Sequence, residues 1–205
     1  MKRELVISTR NKKKFREIKR LFKGSNIKIS SLNRFPGIPR VIEDKKTFNG
    51  NAVKKALLVS RRTKRLVLAD DSGLEVYSLH GRPGVFSSRY AGPGKSDRLN
   101  CLKLLRALRN KPPGKRKARF RCAVAIADEG GLIKVIEKSC SGKIGYDMEG
   151  GSGFGYDPLF IPRGYKKSFA QLGSKVKDKL SHRGKALRRA KGFIEKYLSG
   201  SPRPL

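Results

Sequence analysis

The stretch from Leu66 to Tyr77, LVLADDSGLEVY, constrains this chain more than any other. Leu66, Val67, Leu68 and Ala69 form the short apolar run of a buried strand. The run ends abruptly in Asp70, Asp71, Ser72 and Gly73, which predicts a strand exit there, with a further strand over Leu74–Leu79. Two adjacent carboxylates at such an exit are costly to bury in ionised form unless a cation or hydrogen-bond donors compensate. A magnesium ion fits, because it takes a few hard oxygen ligands and lets phosphates complete its shell. Alternation along a strand sends Asp70 and Asp71 to opposite faces, so one of them points into such a site. Asp, Ser and Gly also favour plain turns, and this stretch alone leaves that reading open.

The N-terminal segment predicts a strand over Glu4–Ser8, a short polar turn, and a basic helix with Phe15, Ile18, Leu21 and Phe22 at helical spacing. Thr9 or Asn11 can cap that helix. Its first-turn N–H groups favour an anion, and Lys13 or Lys14 adds charge. The segment lacks the GxxxxGK[ST] pattern of a P-loop. Ile27–Ser31 reads as a second strand, Asn33–Asp44 as a loop carrying Glu43 and Asp44, and Thr47–Arg62 as a helix with a broad apolar face. Ser88 and Arg89 are possible phosphate contacts, and Leu99–Leu108 is a helix with a leucine stripe. Lys111–Lys117, KPPGKRK, is the candidate boundary between lobes. Arg119–Ala127 and Leu132–Ser141 read as a hairpin turned at Asp128–Gly131.

Gly150–Pro162, GGSGFGYDPLFIP, is the second informative stretch. Its glycines allow close backbone approach to a flat ligand. Phe154 and Tyr156 can stack on a base, and Pro158 holds Asp157 extended. Ser168–Leu172 is a short element, and Lys177–Ala186 enters the last helix. There His182 and Arg183 stand side by side, five and six residues after Lys177, as a cluster of donors.

Charge narrows the partners. The chain has 205 residues, with 50 Lys and Arg against 16 Asp and Glu, a formal charge of +34. That excess implies a polyanionic partner or environment: nucleoside triphosphates, nucleic acid or anionic membrane. It is spread along the chain, as in a uniformly basic surface, with no RNP-like aromatic motif. Three widely spaced cysteines without CxxC argue for a reducing cytosol and against structural zinc. No apolar run approaches the roughly 20 residues of a membrane span, and the N-terminal apolar stretch is too short for a signal peptide, so a cytoplasmic location is expected.

Taken together, six segments resemble one family. STRNKKKFREI is similar to its T-x-N-x-x-K-x-x-E motif through Thr9, Asn11, Lys14 and Glu17, and TFNGNAVKKA to its TFxENAxxKA helix. ADDSGLEV, GRPGVFSSRYAG, GFGYDPLF and SHRGKAL match almost letter for letter, in order, from about residue 5 to residue 190. The family is that of the inosine triphosphate pyrophosphatases. The resemblance implies an elongated α/β fold: a long central mixed sheet flanked by helices, with two lobes and a cleft between them. It implies a single domain over residues 1–198 with a tail over 199–205, a homodimer, and Mg2+-dependent hydrolysis of ITP, dITP and XTP to the monophosphate and pyrophosphate. Carried over by motif, Thr9, Arg10, Asn11, Lys12, Lys13 and Lys14 contact the triphosphate. Asp71 binds the metal and accepts a proton, with Glu43, or else Asp44, as the second metal ligand. Ser72, Phe154, Gly155, Tyr156, Asp157, Lys177, His182 and Arg183 surround the nucleotide, chiefly its base.

The sequence departs from the family pattern at Arg10, where small residues are common, at Gly50, which replaces the Glu of ENA, and at Val176, which replaces an acidic residue. Two other readings remain: a pyrophosphatase for other modified nucleotides, and a nucleic-acid-binding protein on a degenerate fold. Intact DDSG, FGYDP and SHR motifs argue against degeneration. Binding to nucleic acid is expected only as a non-specific effect of the basic surface.

Overall fold

The computed structural model describes residues 3–94 and 96–200. The residues of the expected tail beyond Gly200 lie outside them. The chain is α/β. Six strands form one mixed sheet in the order β2-β1-β3-β4-β5-β6. They are β1 (Arg3–Ile7), β2 (Ile27–Ser31), β3 (Leu66–Val76), β4 (Lys117–Asp128), β5 (Gly131–Ile144) and β6 (Phe160–Pro162). The helices are α1 (Lys12–Leu21), α2 (Phe48–Thr63), α3 (Asp97–Ala107), α4 (Phe169–Leu180) and α5 (His182–Leu198). β1 pairs in parallel with β2 and with β3, and β5 pairs antiparallel with β6.

Two compact units divide the chain. The first comprises Met1–Asp71, Ala123–Glu137 and Lys185–Leu205; the second comprises Ser72–Cys122 and Lys138–Gly184. In the first, Leu5, Val6, Ile7, Val67, Leu68 and Ala69 are fully buried, as are Ala52, Ala56 and Val59 on α2. In the second, Leu74, Val76, Leu104, Leu108, Phe120, Tyr156, Phe160 and Phe169 belong to one core cluster. Phe120, Phe160 and Phe169 are its aromatic centre, with ring centroids 4.6 to 6.4 Å apart.

Local chemistry accounts for the helix ends. Asn11 is the N-cap of α1, its side-chain oxygen accepting from the N–H groups of Lys13 and Lys14. Thr47 caps α2 by accepting from Gly50 N–H, and Lys64, with φ of 52°, ends that helix in the left-handed region. Ser168 and Gln171 form a full capping box at the start of α4.

Three expectations are corrected. β3 does not end at Asp70 but runs unbroken from Leu66 to Val76, so the DDSG segment is mid-strand. The KPPGKRK loop lies wholly inside the second unit and is no boundary. The element predicted as short at Ser168–Leu172 continues to Leu180, interrupted only by Gly173 at φ 77°, and Ser181 separates it from α5.

Candidate active site

The register of the parallel strands places the first cluster. Pairing of β1 with β3 ends at Ile7 opposite Leu68, and Ser8 N–H donates to Leu68 O at 2.8 Å. The turn Thr9–Asn11 and the carboxylates Asp70 and Asp71 both follow directly from there. Carboxyl ends of parallel strands are where open α/β sheets bind ligands. In the turn, Asn11 N–H donates to Thr9 Oγ1 at 3.2 Å, and Arg10 Nη2 donates to Ile38 O at 2.6 Å. Lys12 and Lys13 are exposed. Because Asn11 already takes the N–H groups of Lys13 and Lys14 at 2.9 and 3.0 Å, the anion-binding capacity of this turn rests on lysine side chains more than on free backbone donors.

The two aspartates are served by different helices, as strand alternation predicts. Lys14 Nζ of α1 lies 3.1 Å from Asp70 Oδ2. Lys55 Nζ of α2 donates to Asp70 O at 2.7 Å, to Asp71 Oδ1 at 3.2 Å and to Glu43 Oε1 at 3.1 Å. Asn51, one turn earlier on α2, donates to Asp71 Oδ2 at 3.3 Å. Glu43 thus joins the cluster, whereas Asp44 pairs with Lys54 at 2.7 Å.

Burial pushes the Asp71 carboxyl above the ordinary aspartate range; Lys55 and Lys14 oppose this, and Glu43 and Asp70 add to it. For Lys55, burial acts to lower the ammonium, but the carboxylates of Asp71, Glu43 and Asp70 outweigh it and the net direction is upward. Asp71, Glu43 and Asp70 thus lie around Lys55 and Lys14. Hard oxygens gathered in this way suit a divalent cation. Among the described residues no three His, Cys, Asp or Glu side chains form a ready metal cage. Magnesium is commonly held by one or two carboxylates with phosphates completing its shell, and Asp71 with Glu43 meets that requirement.

The second cluster belongs to the second unit. Phe154 presents its ring beneath two cations, with Lys177 Nζ at 4.3 Å and Arg183 Cζ at 5.4 Å from the centroid. Arg183 Nη2 donates to Ser72 Oγ at 2.6 Å. Asp157 is buried, and its Oδ2 accepts from Phe154 N–H at 2.8 Å and from Lys177 Nζ at 2.5 Å. Gly153 has φ of 84°, and a Cβ there would stand 2.2 Å from Asp157 Oδ2, so this loop conformation requires glycine. Tyr156 is 3% exposed, and its hydroxyl donates to Ser87 O at 2.9 Å. Burial pushes that phenol upward, which keeps it a donor. Gly155 O accepts from Cys101 Sγ at 3.4 Å. His182 stacks on Phe120, with centroids 4.6 Å apart and planes 13° from parallel. Gly184 lets α5 begin against α4, since a Cβ there would lie 1.9 Å from Asp178 O.

Each sequence-predicted residue thus has a place. Lys14, Glu43 and Asp71 meet in the first unit; Ser72, Phe154, Asp157, Lys177 and Arg183 meet in the second. Tyr156 is turned into the core rather than offered for stacking, and the Asp157 carboxylate is spent on its own loop and Lys177. Ser88 contributes its carbonyl to Asn100, and Arg89 lies over Phe86 at 5.1 Å. Sequence reasoning misses Lys55, Asn51 and Phe120. For the first two a signal is available: Phe48, Asn51, Ala52, Lys55, Ala56 and Val59 lie on one buried face of α2, so Asn51 and Lys55 are polar groups on the apolar side.

Comparison with known proteins identifies the family of the chain. The model of the Ham1 family matches residues 5–193. The chain is 47% identical over 193 residues to a dITP/XTP pyrophosphatase of Desulforamulus reducens, covering 94% of this chain and 96% of that one. It is 46% identical over 201 residues to a dITP/XTP pyrophosphatase of Geobacillus kaustophilus, covering 98% of each. Among solved structures it is similar to the Staphylococcus aureus Ham1 protein, with a TM-score of 0.85 and 35% identity over 95% of this chain and 100% of that one. It is also similar to a HAM1 protein from Coxiella burnetii, with a TM-score of 0.86 and 34% identity over 95% and 99%. With the family model spanning nearly its whole length, this chain belongs to the Ham1 family.

Proposed function

We propose that this protein hydrolyses non-standard purine nucleoside triphosphates, dITP, ITP and XTP, to the nucleoside monophosphate and pyrophosphate, and so cleanses the nucleotide pool. The observation that carries this reading is the gathering of Asp71, Glu43 and Asp70 around Lys55 and Lys14, in a chain whose curated relatives bear the name dITP/XTP pyrophosphatase.

In the reaction, water attacks the α-phosphorus, and the bond to the bridging oxygen of the pyrophosphate breaks. Asp71 accepts the proton of that water or fixes its position; burial raises its carboxyl, which makes it a stronger base than an ordinary aspartate. Mg2+, held by Asp71 and Glu43, would stabilise charge on the phosphates as a Lewis acid. Lys14, with Thr9–Lys13 around the turn, neutralises the triphosphate. The second cluster reads the base. Phe154 offers the stacking face, and Lys177, His182 and Arg183 supply donors. Asp157 positions Phe154 and Lys177 rather than touching the nucleotide. A keto oxygen at the purine 6-position accepts from such donors, whereas the 6-amino group of adenine leaves them unpaired, at a cost of about 1–3 kcal/mol. We read the chain as one catalytic domain over residues 1–198, acting as a homodimer in the cytoplasm and holding nucleic acid only non-specifically.

Pyrophosphate release with Mg2+ across the common and deaminated triphosphates tests this. The expected order is ITP, dITP and XTP first, GTP weak, ATP the poorest purine. Equal rates on ATP and ITP would overturn the reading of the base cluster, and release unaffected by a chelator would overturn that of the carboxylates.

A further inference from the structure

The charge of this protein is not used up by its proposed site. A net charge of about 2–8 keeps a small domain soluble, and this chain carries +34. On α1 the excess has a geometry. Lys12, Arg16, Lys19 and Arg20 recur at three- and four-residue spacing, all exposed, and so share one face, with exposed Lys23 just beyond the helix end. Glu17, the single acidic residue of that helix, is buried instead. From Lys12 to Arg20 the helical row is about 12 Å long at ~1.5 Å per residue. α5 carries a second row, Lys185, Arg188, Arg189 and Lys196, also exposed and at helical spacing. Lys191 Nζ of α5 donates to Lys23 O at 3.3 Å, which ties α5 to the turn that follows α1 within the first unit.

We propose that the α1 and α5 rows form a docking surface for the phosphate backbone of nucleic acid, distinct in function from hydrolysis. Charge complementarity selects a polyanion. Regular spacing along a straight helix selects a linear one. A lipid surface is disfavoured, because a membrane-lying helix needs an apolar face to enter the acyl boundary. The apolar side chains Ile18 and Phe22 of this segment are 0% and 3% exposed. Binding is through backbone charge, without base readout, and falls steeply with salt as counterions are released. It goes beyond the enzymatic reading above: it would place the enzyme along nucleic acid while the nucleotides it acts on are free.

Fluorescence anisotropy with a labelled DNA duplex of about 20 base pairs, over a salt series, provides the test. One variant combines Arg16→Gln, Lys19→Gln, Lys23→Gln and Arg189→Gln. A control removes the same charge from exposed positions of the second unit, with Arg106→Gln, Arg109→Gln, Lys111→Gln and Lys117→Gln. The first variant should lose at least about tenfold in affinity and flatten the log–log salt slope by about 3 to 4. The control should keep most of both, and ITP hydrolysis should be unchanged in either. Equal losses in the two variants would mean that net charge alone binds and would overturn the proposal. So would a wild-type protein that ignores the duplex, or one that binds phosphatidylserine vesicles in preference to it.

Discussion

The two clusters solve opposite problems. In the first unit, full charges lie buried or half-buried and face one another: Lys14 with Asp70, Lys55 with Asp71 and Glu43. In the second, cations lie over an aromatic ring, and backbone geometry is fixed by Asp157 and by glycines that tolerate no side chain. A site of the first kind can move protons and hold a metal, because its charges are close and poorly solvated. A site of the second kind can tell one flat ring from another, because its donors are held in place before the ring arrives. On the proposed reading, rate belongs to the first cluster and selectivity to the second. Substitutions should separate the two.

The largest effect is expected at Asp71. Asp71→Asn should lower kcat/KM at least ~10²-fold on every nucleotide, with the far-UV spectrum and the ratio of ITP to ATP unchanged. If it keeps more than about a tenth of the activity while Asp70→Asn is dead, the catalytic carboxylate is Asp70. Next comes Arg183→Ala. Loss of a charged donor should cost ITP turnover roughly tenfold to a hundredfold and leave ATP nearly untouched, narrowing the gap between them. A uniform loss on both would dissolve the division of labour.

A third change acts through pH. Asp71 must be ionised to serve as base or ligand, and its carboxyl already sits above the ordinary range. The acid limb of kcat/KM should therefore lie above that range, with activity rising as pH rises through it. Lys55 holds the carboxyl down, so Lys55→Met should move the limb to higher pH; a move to lower pH contradicts the cluster as described. The smallest effect is at Gly50. It occupies the third residue after the Thr47 cap, where the family pattern has the Glu of a capping box. Gly50→Ala should stabilise by less than about 1 kcal/mol, by helix propensity. A Cβ there comes 3.0 Å from Lys45 Cβ, so a loss in thermal unfolding would show that the preceding loop cannot yield.

Where local signals act alone, the sequence is easily read. Ile27–Ser31 reads as a strand and is β2, and α1 and α2 start at the caps that Asn11 and Thr47 provide. The strand through Asp70–Gly73 is not legible in the same way, because turn-forming residues stay extended only when distant partners take their polar groups. Here Lys14, Lys55 and Arg183 do so, and they come from α1, α2 and α5. Within the site, Lys54 and Lys55 look alike in the chain. Only helical phase separates the one that pairs with Asp44 on the surface from the one buried at the carboxylates. Tyr156 and Asp157 are placed at the ligand by the resemblance of GFGYDPLF to the family motif. In the structure both are buried, Tyr156 donating to Ser87 O and Asp157 accepting from Phe154 N–H, partners that the motif does not reveal.

Lys55 carries one more implication, for how the enzyme matures in the cell. An ammonium group built into the chain already offsets the acids that a divalent ion would otherwise have to quench. A newly made molecule can therefore reach its final shape without a divalent ion to quench those acids.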